Sequence, residues 1–333
     1  MDIAKRVFQA HGADASGAAV FSKEDHARKT AWLLRLTATM RGGDRGLRRR
    51  ALLGARDRSA RAHRSAVPPA YVKPFVKRHK NDAADAEAIC EAAQRPSMRF
   101  VAVKEEEQQA SAIAFRARDL LVRQRTQIIN ALRGHLMEYG WVVPQGPSHM
   151  AVLIEGIEDP SCPLPESART ALKVLIDSLR VLDEQIAGLD AEIARRSREN
   201  AVARRLMTIP GIGPITATAI VALAPPAGMF RKGRDFAAWL GVAPLQKSSG
   251  GKQKLGAISK MGERTLRRLL IIGASAVVLQ AGRRGAPKGS WLSQMMARKP
   301  RMLVTVALAN KMARIVWAVL TSGGIYRAPA AVA

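Results

Sequence analysis

The order of apolar and polar positions near the start of the chain is typical of strands. Residues 2–12 carry apolar positions that suit a strand, and residues 13–17 predict a turn into a second strand at 18–21. These elements form the opening hairpin of a sheet. A further strand is predicted over 98–103. Residues 1–103 therefore contain three predicted strands.

Helical periodicity dominates two longer segments. One predicted helix covers 82–93, and the other runs from 105 to about 139 with an apolar stripe that includes Leu120 and Leu132. Several arginines surround this stripe: Arg116, Arg118, Arg123, Arg125 and Arg133. They could form a nucleic-acid surface, and a solvated helix flank explains them equally well.

A heptad pattern occupies the following helix. Leucine and isoleucine recur at alternating spacings of three and four, as in a coiled coil: Leu172, Leu175, Leu179, Leu182, Ile186, Leu189 and Ile193. Such a seam pairs with a second chain or packs on its own domain, and we favour a homo-oligomer, either a dimer or a tetramer. Residues 140–165 are rich in Pro and Gly and form a linker before this helix. Residues 104–200 are therefore predicted to contain long helices, this linker and the coiled coil.

Residues 201–325 are predicted to form a mainly α domain that contains a helix-hairpin-helix. Within 206–217, an apolar helix end is followed by a tight turn through Gly211 and Gly213 and then by an alanine-rich helix. Glycine lets the backbone approach a phosphate closely, and free N–H groups at the next helix start bind it. Both glycines are therefore candidate nucleic-acid contacts that read no sequence. A purely structural turn has the same pattern.

The charge of the chain points to a polyanionic partner. Its 333 residues carry a net charge of +27 with 47% hydrophobic residues, so the chain folds and attracts DNA or RNA more than an acidic membrane. No apolar run approaches the ~18 residues of a membrane span. Cys90 and Cys162 cannot form a disulfide framework, and no signal peptide is recognisable, so we expect a cytoplasmic protein.

Asp82 and Asp85 are the strongest candidates for metal binding. Side chains three residues apart share one face of a helix, with Cβ atoms roughly 5–6 Å apart. Two carboxylates this close repel each other unless a cation lies between them, as in a Mg²⁺ site. The preceding residues 71–80 are densely basic, which suggests phosphate chemistry on nucleic acid. An ordinary solvated helix face has the same spacing.

Ser248 and Ser249 lie in a loop rich in glycine and lysine. A serine there can attack a phosphodiester, because nearby cations stabilise the alkoxide and the pentavalent transition state. The basic residues around this loop are candidate nucleic-acid contacts: Lys247, Lys252, Lys260 and Arg264. A flexible turn is the alternative interpretation.

Together these segments resemble the insertion-sequence transposases of the "IS one-ten" type, recombinases that are guided by a bridge RNA. The resemblance covers nearly the whole chain except residues 27–67. Its most specific parts are four segments: Asp2–Lys5, Pro68–Ile89, Ile209–Pro214 and Ser248–Gly262.

The resemblance implies that residues 1–103 form an α/β domain of the RNase H-like, resolvase type with four acids that bind Mg²⁺. It also implies a helical C-terminal domain with a nucleophilic serine. Asp2, Asp82 and Asp85 match the first, third and fourth acids. Either Ser248 or Ser249 matches the nucleophile. The implied reaction is strand cleavage through a phosphoserine link, followed by strand exchange and religation within an oligomer that contains DNA and the guide RNA.

Residues 27–67 interrupt the resemblance. They are crowded with arginine and show neither strand alternation nor a clear amphipathic helix, apart from a helical pattern at 30–36. The second family acid is a glutamate in a strand of this region, but Glu24 lies too early and Asp44 has surroundings that predict no strand. The composition suggests translation in a shifted reading frame. We therefore expect an incomplete sheet with less buried apolar surface, and an impaired or inactive protein.

Two other classes of protein fit part of the pattern. A non-catalytic nucleic-acid-binding protein would use the helix-hairpin-helix and the basic helices. A nuclease of the Holliday-junction type would use the acids alone and would need no serine. Replacing Ser248 and Ser249 together separates the transposase from the nuclease, because only the transposase forms a covalent protein–DNA species.

Overall fold

The computed structural model describes two compact units, Met1–Ala110 and Ser111–Ala333. The described residues are 2–3, 7–14, 19–26, 42–44, 64–67, 69–77, 81–98, 100, 106–144, 146, 149–287 and 289–328.

The first unit begins with a three-stranded antiparallel sheet. Strands β1 (Asp2–Ile3), β2 (Val7–Ala13) and β3 (Ala19–His26) lie in that order, with Asp2 opposite Gln9. The predicted hairpin is confirmed as β2 and β3. The single strand predicted over 2–12 is wrong, because this segment folds back on itself as β1 and β2. Alternation of apolar residues does not show where a strand reverses.

Two further strands lie inside the arginine-rich segment 27–67, for which the sequence predicts none. Strand β4 (Gly42–Asp44) pairs in parallel with β5 (Arg64–Ala66). The expectation of a strandless environment at Asp44 is therefore wrong. Main-chain hydrogen bonds form this ladder, and Gly42 and Gly43 have no side chains from which a pattern could be read. The helix predicted at 30–36 lies outside the described residues.

One helix forms the core of the first unit. After α1 (Pro69–Val72) and a 3₁₀ turn (Lys73–Phe75), α2 spans Asp82–Gln94, which confirms the predicted helix. It packs against β1, β2 and β4, with Ile89 fully buried. The strand predicted over 98–103 is not found at Met98 or Phe100, and its other residues lie outside the described ones.

Two long helices open the second unit. They are α3 (Glu106–Glu138), which confirms the second predicted helix, and α5 (Glu166–Glu199), with α4 (Met150–Glu158) between them. Ion pairs join Arg118 to Asp190 and Arg125 to Asp183, so α3 and α5 run antiparallel.

The heptad seam of α5 is covered by its own chain. Its buried positions are Leu172, Ile176, Leu179, Ile186 and Ile193, and the first three share a core with Leu132 and Leu136 of α3. The predicted Leu175, Leu182 and Leu189 are only half-buried. The seam therefore gives no support to oligomerisation, because the heptad pattern requires a covering helix and does not specify which one.

The arginines of α3 are largely engaged within the protein. Besides the two pairs with α5, Arg123 contacts Asp119 at 3.8 Å, and Arg133 donates hydrogen bonds to the carbonyls of Val143 and Pro144. These contacts favour a structural role over a nucleic-acid surface.

The C-terminal elements enclose the largest core. They are α6 (Ala201–Leu206), α7 (Pro214–Leu223), a 3₁₀ turn (Ala227–Met229), α8 (Gly233–Trp239), β6 (Pro244–Gln246), β7 (Leu255–Ile258), α9 (Arg264–Arg284), α10 (Trp291–Arg298) and α11 (Arg301–Ser322). Buried side chains from α7, α8, α9 and α11 form this core, and Phe115 and Ile193 join it.

Two helices, α9 and α11, are long and apolar enough to cross a membrane by length and composition alone, which the sequence analysis did not predict. Both pack against each other in the core, where Leu266, Leu270, Val304 and Val316 are fully buried. That packing explains their apolar composition, because a core helix passes the same test as a membrane span.

Candidate active site and nucleic-acid interface

The two candidate serines lie at the tip of an exposed β-hairpin. Strands β6 and β7 pair antiparallel, and the Lys252 N–H donates to the Ser249 carbonyl at 3.1 Å. Gly250 and Gly251 form the turn with φ of 56° and 76°. Positive φ at both central residues is typical of a type I′ turn, in which glycine is favoured. The loop is therefore an ordered turn that carries the serines into solvent.

The two serine hydroxyls have different surroundings. The Ser248 Oγ accepts a hydrogen bond from the Lys254 N–H at 3.1 Å, which ties it across the hairpin. The Ser249 Oγ makes no hydrogen bond within the part of the chain that the structure describes, and its residue is exposed. Of the two hydroxyls, only that of Ser249 is therefore free of hydrogen bonds within the described residues.

The base of this hairpin is held by close backbone packing. Gly241 and Gly262 have φ of 73° and 78°, and a Cβ on Gly262 would lie 1.7 Å from the Trp239 carbonyl oxygen. The Arg267 guanidinium donates to the carbonyls of Met261 at 2.7 Å and Leu240 at 3.2 Å. The serine hairpin is thus anchored where it leaves the helical core.

Asn310 adds a contact from α11. Its Nδ2 donates to the Val242 carbonyl at 3.1 Å, just before β6 begins. Neither Arg267 nor Asn310 was predicted from the sequence, because contacts across 27 and 68 residues leave no local pattern. The glycine pair Gly241 and Gly262 was the available signal.

The predicted basic residues of the hairpin region share one environment. Lys247, Lys252, Lys260 and Arg264 are all exposed, and none forms an ion pair with an acid in the described residues. Lys260 also has a φ of 54°, a left-handed conformation that is unfavourable for a residue with a Cβ. This surface attracts phosphates, because its positive charge is not neutralised locally.

The two glycines of the helix-hairpin-helix have different environments. Gly211 has a φ of 84°, and a Cβ there would lie 2.7 Å from the Gly273 carbonyl oxygen of α9. Packing within the protein therefore explains why a residue without a side chain is needed at Gly211. Gly213 is exposed with open space around its Cβ position, directly before the N-terminus of α7. Of the two, only Gly213 has a backbone that a phosphate can approach.

The candidate acids of the first unit lie on neighbouring elements. Asp82 and Asp85 occupy the first turn of α2, where the Asn81 side chain accepts the Ala84 N–H at 2.6 Å as the N-cap. Asp2 belongs to β1, which packs against α2, but its side chain lies outside the described residues. Among the described side chains, no cluster of three or more Asp, Glu, His or Cys could hold a metal ion.

Glu87 of the same helix has a structural partner. The Lys77 Nζ contacts its carboxylate at 2.6 Å, and this hydrogen bond lowers the pKa of Glu87 and raises the pKa of Lys77. Lys77 is therefore paired with an acid at the protein surface. The basic residues 78–80 lie outside the described ones.

The comparison with protein families identifies the class of this chain as transposase. A model described as "Transposase IS116/IS110/IS902 family" matches residues 203–288, which include the helix-hairpin-helix and the serine hairpin. A model of the DEDD transposase domain of IS110 elements matches residues 50–140, which include α2.

Individual relatives place the chain in a particular family. A "Probable family 20 transposase" of Pseudomonas aeruginosa is 42% identical over 98% of this chain and 97% of its own length. The transposase of insertion sequence element IS1328 of Yersinia enterocolitica is 38% identical over 78% of this chain and 77% of its own. The transposase of insertion sequence element IS1111A of Coxiella burnetii is 38% identical over 78% of this chain and 72% of its own length. The chain belongs to the IS110/IS116/IS902 family of transposases, which confirms the resemblance found in the sequence.

Proposed function

We propose that this transposase cleaves and rejoins the DNA ends of an insertion sequence through Mg²⁺-binding acids and a nucleophilic serine. The observation that carries the proposal is the serine hairpin, where a free hydroxyl is presented among unpaired cations on a rigid base. Its partners are DNA, a guide RNA and further copies of the chain, and it acts in the bacterial cytoplasm.

Ser249 is the nucleophile in this proposal. Its Oγ forms a bond to a DNA phosphorus while the bond from that phosphorus to the leaving deoxyribose oxygen breaks. The hydroxyl proton passes to solvent water, and the leaving oxygen takes up a proton from solvent. Lys247, Lys252, Lys260 and Arg264 hold the phosphate and stabilise the charge that develops on its oxygens. A second strand end then attacks the phosphoserine, which restores the serine and religates the DNA.

Asp2, Asp82 and Asp85 are the proposed ligands of Mg²⁺. Carboxylate oxygens are the donors that Mg²⁺ prefers, and Asp82 and Asp85 lie three residues apart in one helical turn, which suits a shared cation. When bound, the ion neutralises phosphate charge and polarises the phosphoryl oxygens. The N-terminal domain is proposed to be an RNase H-like, resolvase-type domain that is incomplete.

We further propose that this copy is impaired because residues 27–67 derive from a shifted reading frame. This segment has 12 Lys or Arg residues and two acids, and its first part, residues 27–49, lies outside the match to the DEDD domain model at 50–140. The test is the nucleotide sequence upstream of Pro68, read in all three frames. A glutamate-bearing strand in another frame is expected, and its absence would refute the frameshift.

The catalytic proposal is tested by replacing residues 27–67 with the equivalent segment of an intact relative. The repaired chain is incubated with Mg²⁺ and duplex DNA that carries the element ends, and covalent adducts are resolved by denaturing electrophoresis. We expect adducts from the repaired chain and few from the original one. Adducts should disappear with Ser249→Ala and with Asp82→Asn plus Asp85→Asn. Cleavage without any adduct would favour the junction-type nuclease, and binding without cleavage would favour the non-catalytic protein.

A further inference from the structure

A cavity of about 360 Å³ lies between α9, α10 and α11. Its apolar wall includes Val278, Met296 and Val304, and both valines are buried. Gly282 leaves the wall open, since a Cβ there would meet only the Met296 Cε, at 3.9 Å. The volume suits a small planar group and is at the lower end of the range for ligand pockets.

Three cations surround this apolar cavity. Arg283, Lys299 and Arg301 line it, are exposed, and form no ion pair in the part of the chain that the structure describes. Residues 264–333 contain no Asp or Glu at all. Like charges around one cavity repel each other, so that an anion bound between them is stabilised.

The cavity is distant from the serine hairpin. Arg267, near the start of α9, contacts the base of that hairpin through Met261, whereas Gly282 lies near the end of the same helix. At 1.5 Å per residue, the 18 residues from Arg264 to Gly282 span about 27 Å. A ligand in the cavity therefore occupies a site separate from the proposed nucleophile.

We propose that this cavity, the α9–α11 pocket, binds one unpaired nucleotide of a single-stranded nucleic acid. The base enters the apolar cavity and contacts the Met296 sulfur, and Arg and Lys side chains at the rim bind the flanking phosphates. Paired bases in a duplex are stacked inside and cannot enter such a cavity. The inference rests on the proposed function only in that the ligand is a nucleic acid, and it requires neither the serine nor Mg²⁺.

The first test fills the cavity without changing its charge. Gly282→Leu places a side chain in the space, whereas Gly282→Ala adds only a methyl group at ordinary contact distance. Binding of fluorescent dT12, rU12 and a 12-bp duplex is measured by anisotropy with the full-length chain. Gly282→Leu should weaken binding of single strands about tenfold and leave duplex binding unchanged, and Gly282→Ala should resemble the original protein. Equal single-strand affinity of the two variants would overturn the proposal.

The second test separates the rim from general electrostatics. One variant changes Arg283, Lys299 and Arg301 to Gln, and its control changes Arg231, Lys232 and Arg234, which are equally exposed, to Gln. Both lose three charges, so both should bind duplex less tightly. Only the rim variant should lose an additional factor of about ten for single strands. An equal loss in both variants would contradict a dedicated pocket.

A third measurement needs no substitution. The unmodified protein is crosslinked to dT12 and rU12 that carry a 4-thio base at the centre, and the attached peptides are sequenced. We expect attachment within residues 289–298, the tryptic peptide that contains Met296. The more strongly crosslinked oligonucleotide identifies the source as DNA or RNA. Attachment elsewhere with both oligonucleotides would overturn the proposal even if Gly282→Leu failed to fold.

Discussion

Gly211 and Gly273 pack backbone against backbone, so that a Cβ added to Gly273 would lie 2.0 Å from the Gly211 carbonyl oxygen. Through this contact the helix-hairpin-helix packs against α9. The same helix contains Arg267, which donates a hydrogen bond at the base of the serine hairpin. A glycine turn that suggests phosphate binding in the sequence is thus required, at Gly211, by the packing of the protein itself.

Gly273→Ala should therefore destabilise the protein. The added methyl group forces the two backbones apart, and overpacking of this kind costs about 1–3 kcal/mol. Gly282→Ala, on the same helix but beside open space, is the control and should be neutral or stabilising by about 1 kcal/mol. Urea denaturation followed by circular dichroism measures both. Equal stability of the two variants would refute the packing account.

Asn310→Ala should weaken the anchorage of the serine hairpin. It removes the part-buried hydrogen bond to the Val242 carbonyl and leaves that carbonyl unpaired, which costs about 1–3 kcal/mol. Denaturation should show this loss, and hydrogen exchange should show faster opening of β6 and β7. Thr321→Ala, at an exposed position of the same helix, provides the comparison. Unchanged exchange in Asn310→Ala would mean that the contact does not hold the hairpin.

Lys260 combines an unfavourable backbone with an exposed charge. Lys260→Gly should stabilise the protein by about 1 kcal/mol, because glycine adopts the φ of 54° without steric cost. Lys260→Ala keeps that cost and removes only the charge. Both variants should bind duplex DNA more weakly and with a smaller salt dependence. Full DNA affinity in either variant would remove Lys260 from the interface.

Glu192 should titrate at unusually low pH. Hydrogen bonds from Arg195 and Arg196 lower its pKa to about 2, from an ordinary value of 4.5. A depressed pKa in the folded state stabilises the fold above pH 4.5, and this contribution is lost as pH falls through 2. NMR titration of the carboxyl carbon should show the low midpoint, and changing both arginines to Gln should raise it. A midpoint near 4.5 in the original protein would contradict these contacts.

Sequence periodicity predicted the helices α2 and α3 within one or two residues, because long regular patterns define a buried face. The helix that covers the apolar seam of α5 was not predictable, because the heptad pattern requires apolar contacts without specifying their source. In the structure, α3 of the same chain supplies these contacts at Leu172 and Leu179. Strand β4 was missed because Gly42 and Gly43 offer no alternating side chains.

In the candidate site, too, local features were predictable from the sequence and contacts between distant residues were not. Glycine and lysine around Ser248 and Ser249 predicted either a loop that carries a nucleophile or a flexible turn, and the structure has an ordered turn at the tip of a hairpin. The sequence could not distinguish the two serines, because the hydrogen bond from Lys254 to the Ser248 Oγ depends on the pairing of the strands. Arg267 likewise acts on carbonyls that only the fold brings near.

The most direct test of the central claim locates the covalent bond. An adduct formed by the repaired chain on element-end DNA is digested with trypsin and nuclease, which leaves a nucleotide on the peptide of residues 248–252. Tandem mass spectrometry should find that nucleotide on the Ser249 oxygen, and Ser248→Ala should still form it. A nucleotide attached to Ser248 or to any other residue, or cleaved DNA with no attached peptide, would contradict the account.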